Sequence, residues 1–124
     1  MNRHQQRVKL MIAIYQYLLL KGDLSEIADE IQTDDPEINT YFYDVLAAIE
    51  KNEEELITKI NDRLIDWDYT RLGFIEQAIL LLGVVEITML GYDKPIVIDE
   101  AVILAKDYCD EDTYKLINGI LDQL

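Results

Sequence analysis

Apolar residues recur at spacings of three and four along nearly the whole chain, the mark of helices that bury one face. Residues 3–20 carry a broad stripe through Leu10, Met11, Ile14 and Leu18, and Gly22 is expected to supply the left-handed stop. Asp23, followed three residues later by Glu26, is a capping pattern that opens a short helix over 24–32. Asp35-Pro36 starts another, with Asp as cap and Pro where its missing N–H costs nothing. Its face runs through Ile38, Tyr41, Phe42, Val45, Leu46 and Ile49, and Asn52 is expected to end it and cap the next helix. Glu53-Glu54-Glu55 then lies in a first turn, where the helix dipole favours negative charge. Leu56, Ile57, Ile60 and Leu64 form the buried edge, and residues 66–69 read as a connection.

Residues 72–90 differ from the rest. Only Glu76, Gln77, Glu86 and Thr88 interrupt an otherwise apolar segment, as in a helix at the centre of a bundle. Gly91 ends it, Pro95 follows, and helices over 96–108 and 112–124 complete the chain. Helical periodicity runs through Asn118-Gly119, so Gly119 is expected at a close helix–helix contact rather than in a hairpin turn. No alternating run is long enough for a strand. The pattern predicts one all-α domain over residues 1–124, with six or seven helices.

Composition narrows the function. The 124 residues are half hydrophobic, enough for a core, and carry a net charge of −14. Polyanions such as nucleic acid and anionic membrane repel such a chain on average. The average conceals an asymmetry, however. Residues 1–21 hold Arg3, Arg7, Lys9 and Lys21 and no acid, a local +4; the remainder sets seven bases against 25 acids, a local −18. Any anionic partner is therefore expected at the first helix. No apolar stretch reaches the roughly 20 residues of a membrane span, and a lone cysteine makes no internal disulfide. The chain reads as soluble and cytoplasmic.

Chemistry is sparse. The five glycines fit no phosphate-binding loop, and no Gly-x-Ser-x-Gly turn is present. Cys109 has no base near it in sequence, since the single histidine is His4, so a buried or capping cysteine is expected. Asp66, Asp68 and Thr70 imitate the start of a calcium loop, but Arg71 stands where Gly is needed and Gln77 where the bidentate Glu belongs. Acidic helix caps account for them better, and neither metal, cofactor nor catalytic residue is expected. Glu76 and Glu86 are more informative, because a carboxylate on so apolar a helix needs a partner or a surface. Either both lie on its one exposed edge or at least one marks a docking surface.

Three segments of the second half, in order and in register, carry a family resemblance. They are Arg71-Leu72-Gly73-Phe74-Ile75-Glu76-Gln77-Ala78-Ile79-Leu80 with a later Glu86, Ile98-Asp99-Glu100-Ala101-Val102 with Leu104-Ala105-Lys106, and Lys115-Leu116-Ile117-Asn118-Gly119-Ile120-Leu121-Asp122. Together they resemble the NusB transcription antitermination family, whose members read approximately R-L-x-x-V-[DE]-[KR]-A-I-L-R, then [IV]-N-E-A-[VI]-E-L-A-K, then K-F-V-N-G-[VI]-L-D. The first half matches more loosely, through Arg3, Arg7 and Ala13-Ile14-Tyr15-Gln16. The resemblance implies two small helical bundles packed together and no catalysis. It also implies binding of boxA-type single-stranded RNA jointly with the ribosomal protein NusE, within a complex that keeps RNA polymerase from terminating.

Carried over position by position, the resemblance implies that Arg3 and Arg7 meet RNA phosphates from one helix face. It places Tyr15 at the shared RNA and partner surface, Asp112 and Lys115 on the RNA side, and Glu76 on the NusE side. Core packing remains the alternative for Tyr15, and a helix cap with a solvated lysine for Asp112 and Lys115. Where members carry further bases or an aromatic, this chain has His4, Gln5, Gln77, Leu81 and Leu116, and Cys109 replaces a helix-ending glycine. The expected basic surface is thus thinned. The alternative function is a protein-interaction module, a homodimer or a NusE-binding subunit, without useful RNA affinity.

Overall fold

The computed structural model describes residues 1–124 as six α-helices and one 3-10 turn, with no strand. The helices are α1 (Arg3–Leu20), α2 (Leu24–Glu30), α3 (Pro36–Asn61), α4 (Phe74–Thr88), α5 (Lys94–Tyr108) and α6 (Thr113–Asp122). Helix α4 is the axis: it packs on α1 and α3 on one side and on α5 and α6 on the other. Every residue from 77 to 86 is buried: the apolar run 78–85 predicts this for itself, and Gln77 and Glu86 are buried with it. One core cluster of 30 buried residues runs through both halves.

Local chemistry sets the helix ends. Helix α1 opens with a reciprocal cap absent from the sequence reading: Gln5 N–H donates to Asn2 Oδ1 at 2.8 Å, and Asn2 N–H to Gln5 Oε1 at 2.9 Å. Asp23, Asp35 and Asp68 each accept the backbone N–H two residues on, at 2.9 Å. The calcium-like residues at 66–70 are therefore engaged as a turn and a cap. At the other end of the molecule, Lys94 Nζ donates to Asp122 O at 2.7 Å and to a Leu124 oxygen at 2.8 Å. This places a cation at the negative end of α6 and ties the start of α5 to the chain's last residues.

Three local expectations need correction. The left-handed residue closing α1 is Lys21 (φ 52°, ψ 43°), not Gly22, and its N–H reaches Tyr17 O at 2.8 Å. Asn52 does interrupt α3 (φ −126°, ψ 22°), but its side-chain amide donates back to Ala48 O at 2.9 Å. The break at Asn52 is as expected, so Pro36–Asn61 is two helical segments meeting at a kink, but Asn52 closes the preceding turn and does not cap the following one. Gly119 is exposed, with nothing near the place a Cβ would occupy. The close helix–helix contact is at Gly83, where a Cβ would lie 2.9 Å from Leu121 Cδ1. Periodicity cannot separate these two glycines, because what differs is the partner helix opposite each.

Gly83→Ala is expected to destabilise the fold by about 1–3 kcal/mol through overpacking against buried Leu121. Gly119→Ala is expected to stabilise it by about 0.5–1 kcal/mol through helix propensity. Urea denaturation of the two variants checks both signs. A second expectation concerns alkaline pH. The Tyr17 hydroxyl donates to Glu53 at 2.6 Å, and that bond, with burial second, pushes its pKa from 10.0 to about 12. Burial also raises Tyr41 and Tyr69. Folding keeps these hydroxyls neutral above the pH at which the unfolded chain ionises. The stabilisation is therefore full below about pH 10 and lost as pH rises towards 12. Urea melts across that window should show the decline, and Tyr17→Phe should weaken it.

Candidate nucleic-acid and partner interface

Glu86 sits at the middle of the structure, 1% exposed, on the most apolar helix. Its carboxylate is not on an outer edge of α4. Arg7 reaches it from α1 as a two-pronged clamp, Nη2 to Oε2 at 2.8 Å and Nε to Oε1 at 3.1 Å. From α3, the Tyr41 hydroxyl donates to Oε1 at 3.2 Å. A charge this buried stays only where a partner compensates its lost hydration. Burial alone would lower the Arg7 pKa, but the bond to Glu86 and its charge outweigh that and raise it.

This arrangement separates the two arginines that the first helix was expected to present together. Arg7 is 6% exposed and faces Glu86. Arg3, one turn earlier, is exposed, with its guanidinium carbon 3.8 Å from the Tyr41 ring centroid and 5.8 Å from that of Tyr92. The two rings stack at 6.1 Å with an interplanar angle of 23°. Arg3, Arg7, Tyr92, Asp93, Ile96 and Val97 line a groove of about 290 Å³ between the starts of α1 and α5. Close by, His4 Nδ1 lies 3.1 Å from Glu100 Oε2.

Tyr15 and Glu76 come together elsewhere. Both line a second groove of about 330 Å³, with Phe74, Tyr108, Cys109 and Asp110 around them. Tyr15 is half-buried in that groove rather than enclosed in the core, and Phe74 and Tyr108 expose 41% and 48% of their surface. Burial raises the Glu76 pKa, with nearby Asp110 adding to it. Burial likewise pushes the Cys109 thiol up to about 11, helped by Glu76 and Asp110, which leaves it protonated and a poor nucleophile. Cys109 is extended (φ −121°, ψ 178°), so no glycine is needed to end α5. An aromatic groove with two carboxylates suits a cationic partner.

Asp112 and Lys115 lie at the start of α6, two and five residues after Asp110 of that groove. Asp112 occupies the cap position without a side-chain cap bond, and instead faces Lys115 Nζ at 3.4 Å. Their side chains are 81% and 66% exposed, so the pair is open to a ligand and of little structural weight. The predicted residues thus fall at two places. Twelve residues of α1 separate Arg3 from Tyr15, about 18 Å at 1.5 Å per residue. Near each end lies the corresponding end of α5, Ile96 beside Arg3 and Tyr108 beside Tyr15. Sequence reasoning missed Tyr41, Tyr92 and Ile96; beyond Arg3 and Arg7 themselves, the unexplained carboxylate at 86 was the signal pointing to that end.

The NusB family model matches residues 4–124. The transcription antitermination protein NusB of Sulfurovum sp. (strain NBC37-1) is 38% identical over 126 residues, spanning 99% of this chain and 97% of its own. That of Staphylococcus carnosus (strain TM300) is 32% identical over 127 residues, spanning 100% and 99%. Among solved structures, T. maritima NusB superposes with a TM-score of 0.92 at 27% identity, covering 99% of this chain and 89% of that one. A crystal structure of antitermination factors NusB and NusE in complex with dsRNA gives 0.82 at 26% identity, covering 99% and 96%.

Removing one member of the buried pair strands the other. Arg7→Met and Glu86→Gln are each expected to cost about 3–5 kcal/mol in urea unfolding. The Arg7→Met, Glu86→Leu double variant should be no less stable than either single one, because no uncompensated charge remains.

Proposed function

Because the chain belongs to the NusB family, we propose that it is a transcription antitermination factor that binds boxA-type single-stranded RNA jointly with the ribosomal protein NusE. The observation that carries this reading is the superposition of 99% of the chain on one chain of a complex of NusB and NusE with dsRNA. It is a binding protein and not an enzyme, and acts beside RNA polymerase in the cytoplasm. No helix is long and apolar enough to cross a membrane.

Geometry and charge support a division of labour. In this reading the groove of Tyr15, Glu76, Phe74 and Tyr108 receives NusE, whose cationic side chains would meet Glu76 and Asp110. The RNA contacts in this reading are Arg3 at the start of α1, Lys115 with Asp112 at the start of α6, and Tyr15, whose ring can meet a base. Arg7 serves by holding Glu86 and so the helix that carries Arg3. With Arg7 committed internally and −18 on residues 22–124, affinity for RNA alone is low. A basic partner supplies the missing positive charge.

The committed Arg7 also favours the second reading, a NusE-binding or homodimeric module that takes up no RNA. Titration of a labelled boxA-type strand with and without NusE, across a range of salt, separates the two. Tight binding only with NusE is expected. Replacing both Arg3 and Lys115 by Ala should then reduce the slope of log K against log salt by about 1.4, two single-strand phosphate contacts' worth. Stable association with NusE but no RNA complex even at low salt would establish the second reading instead.

A further inference from the structure

The groove between the starts of α1 and α5 has features that a phosphate site does not need. Its guanidinium carbon lies over a ring, 3.8 Å from the Tyr41 centroid, so the side of Arg3 that faces the ring is already covered. The support beneath is rigid: Tyr41 is 3% exposed and hydrogen-bonded to Glu86, which Arg7 clamps. The walls are apolar, with Ile96 exposing 56% of its surface and Val97 buried. Asp93 stands at the cap position just before α5 yet makes no cap bond, which leaves its carboxylate unengaged at the groove's edge. A carboxylate repels a phosphate but accepts hydrogen bonds from amino and imino groups. Flat cation, tyrosine edge, apolar wall and one acceptor together fit a planar heterocycle with donor groups.

We propose that this groove is a base-binding subsite in which one unstacked, amino-bearing RNA base lies on the open face of Arg3, edges against Tyr92 and Ile96, and donates to Asp93. Arg3 is then a stacking platform first and a phosphate contact second. Bases are commonly held on guanidinium planes and aromatic rings in single-strand recognition. Tyr41 and Glu86 act as positioning residues that set the height and tilt of the platform. The inference rests on the RNA-binding reading above, but it concerns where and how one nucleotide is held.

Arg3→Lys tests it, because lysine keeps the charge and loses the plane. Binding of a boxA-type strand in the presence of NusE is measured for a series of strands, each with one base removed and the backbone intact. For the unaltered protein, one position is expected where loss of the base weakens binding by about 10-fold or more. With Arg3→Lys the intact strand should bind about 10-fold more weakly at an unchanged salt slope, and the penalty at that position should vanish. Asp93→Ala should relax the preference for an amino-bearing base there. Circular dichroism confirms that each variant is folded. If Arg3→Lys binds as tightly as the unaltered protein, or no position is coupled to it, the subsite is wrong while RNA binding stands. If no strand binds at any salt, both the subsite and the RNA-binding reading fall.

Discussion

One carboxylate on a buried helix organises this molecule. Helix α4 is apolar enough to be surrounded on all sides, and Glu86 is enclosed with it. An ionised group there requires a cation with matched geometry, and Arg7 supplies one through a forked contact. Because the arginine belongs to α1 and Tyr41, the third member, to α3, the cluster pins three helices at one point. The pair fixes one point at which α1 meets α4.

That constraint passes directly to the surface. Tyr41, held by its hydroxyl, presents its ring to Arg3, and Tyr92 stacks beside it. The cation left exposed at the start of α1 is therefore a posed side chain rather than a mobile one, with less conformational freedom to lose on binding. At the far end of the same helix Tyr15 enters an acidic, aromatic groove with Glu76. The two ends differ in sign and shape, which suits an assembly in which RNA and a basic protein are gripped together. It also explains the charge asymmetry. The positive segment commits Arg7, one of its four cations, to the core, which lowers the positive charge it presents to a polyanion.

Helix positions were largely legible because the signals that set them are local. Asp35-Pro36, the Asp23 cap and the apolar run before Gly91 are each read within a few residues of the feature they produce. The family motifs were legible for the same reason, being short, ordered and in register. Even the anomaly was visible: a carboxylate at 86 had to find a partner or a surface. Which of the two it found was not visible, since Arg7 lies 79 positions away and sequence spacing carries no record of what faces what.

The chain by itself therefore determined the all-helical class, most helix ends, the family and the concentration of positive charge on the first helix. Each depends on propensity, capping, periodicity or composition, which act over a turn or two. Tertiary structure alone decided that Gly83 and not Gly119 marks a close approach, and that Arg7 faces inward while Arg3 faces out. It also decided that Tyr15 and Glu76 share a groove. Arg3 and Arg7 are equivalent in sequence, both arginines one turn apart. Their roles diverge because desolvation and pairing depend on the surroundings that three packed helices create.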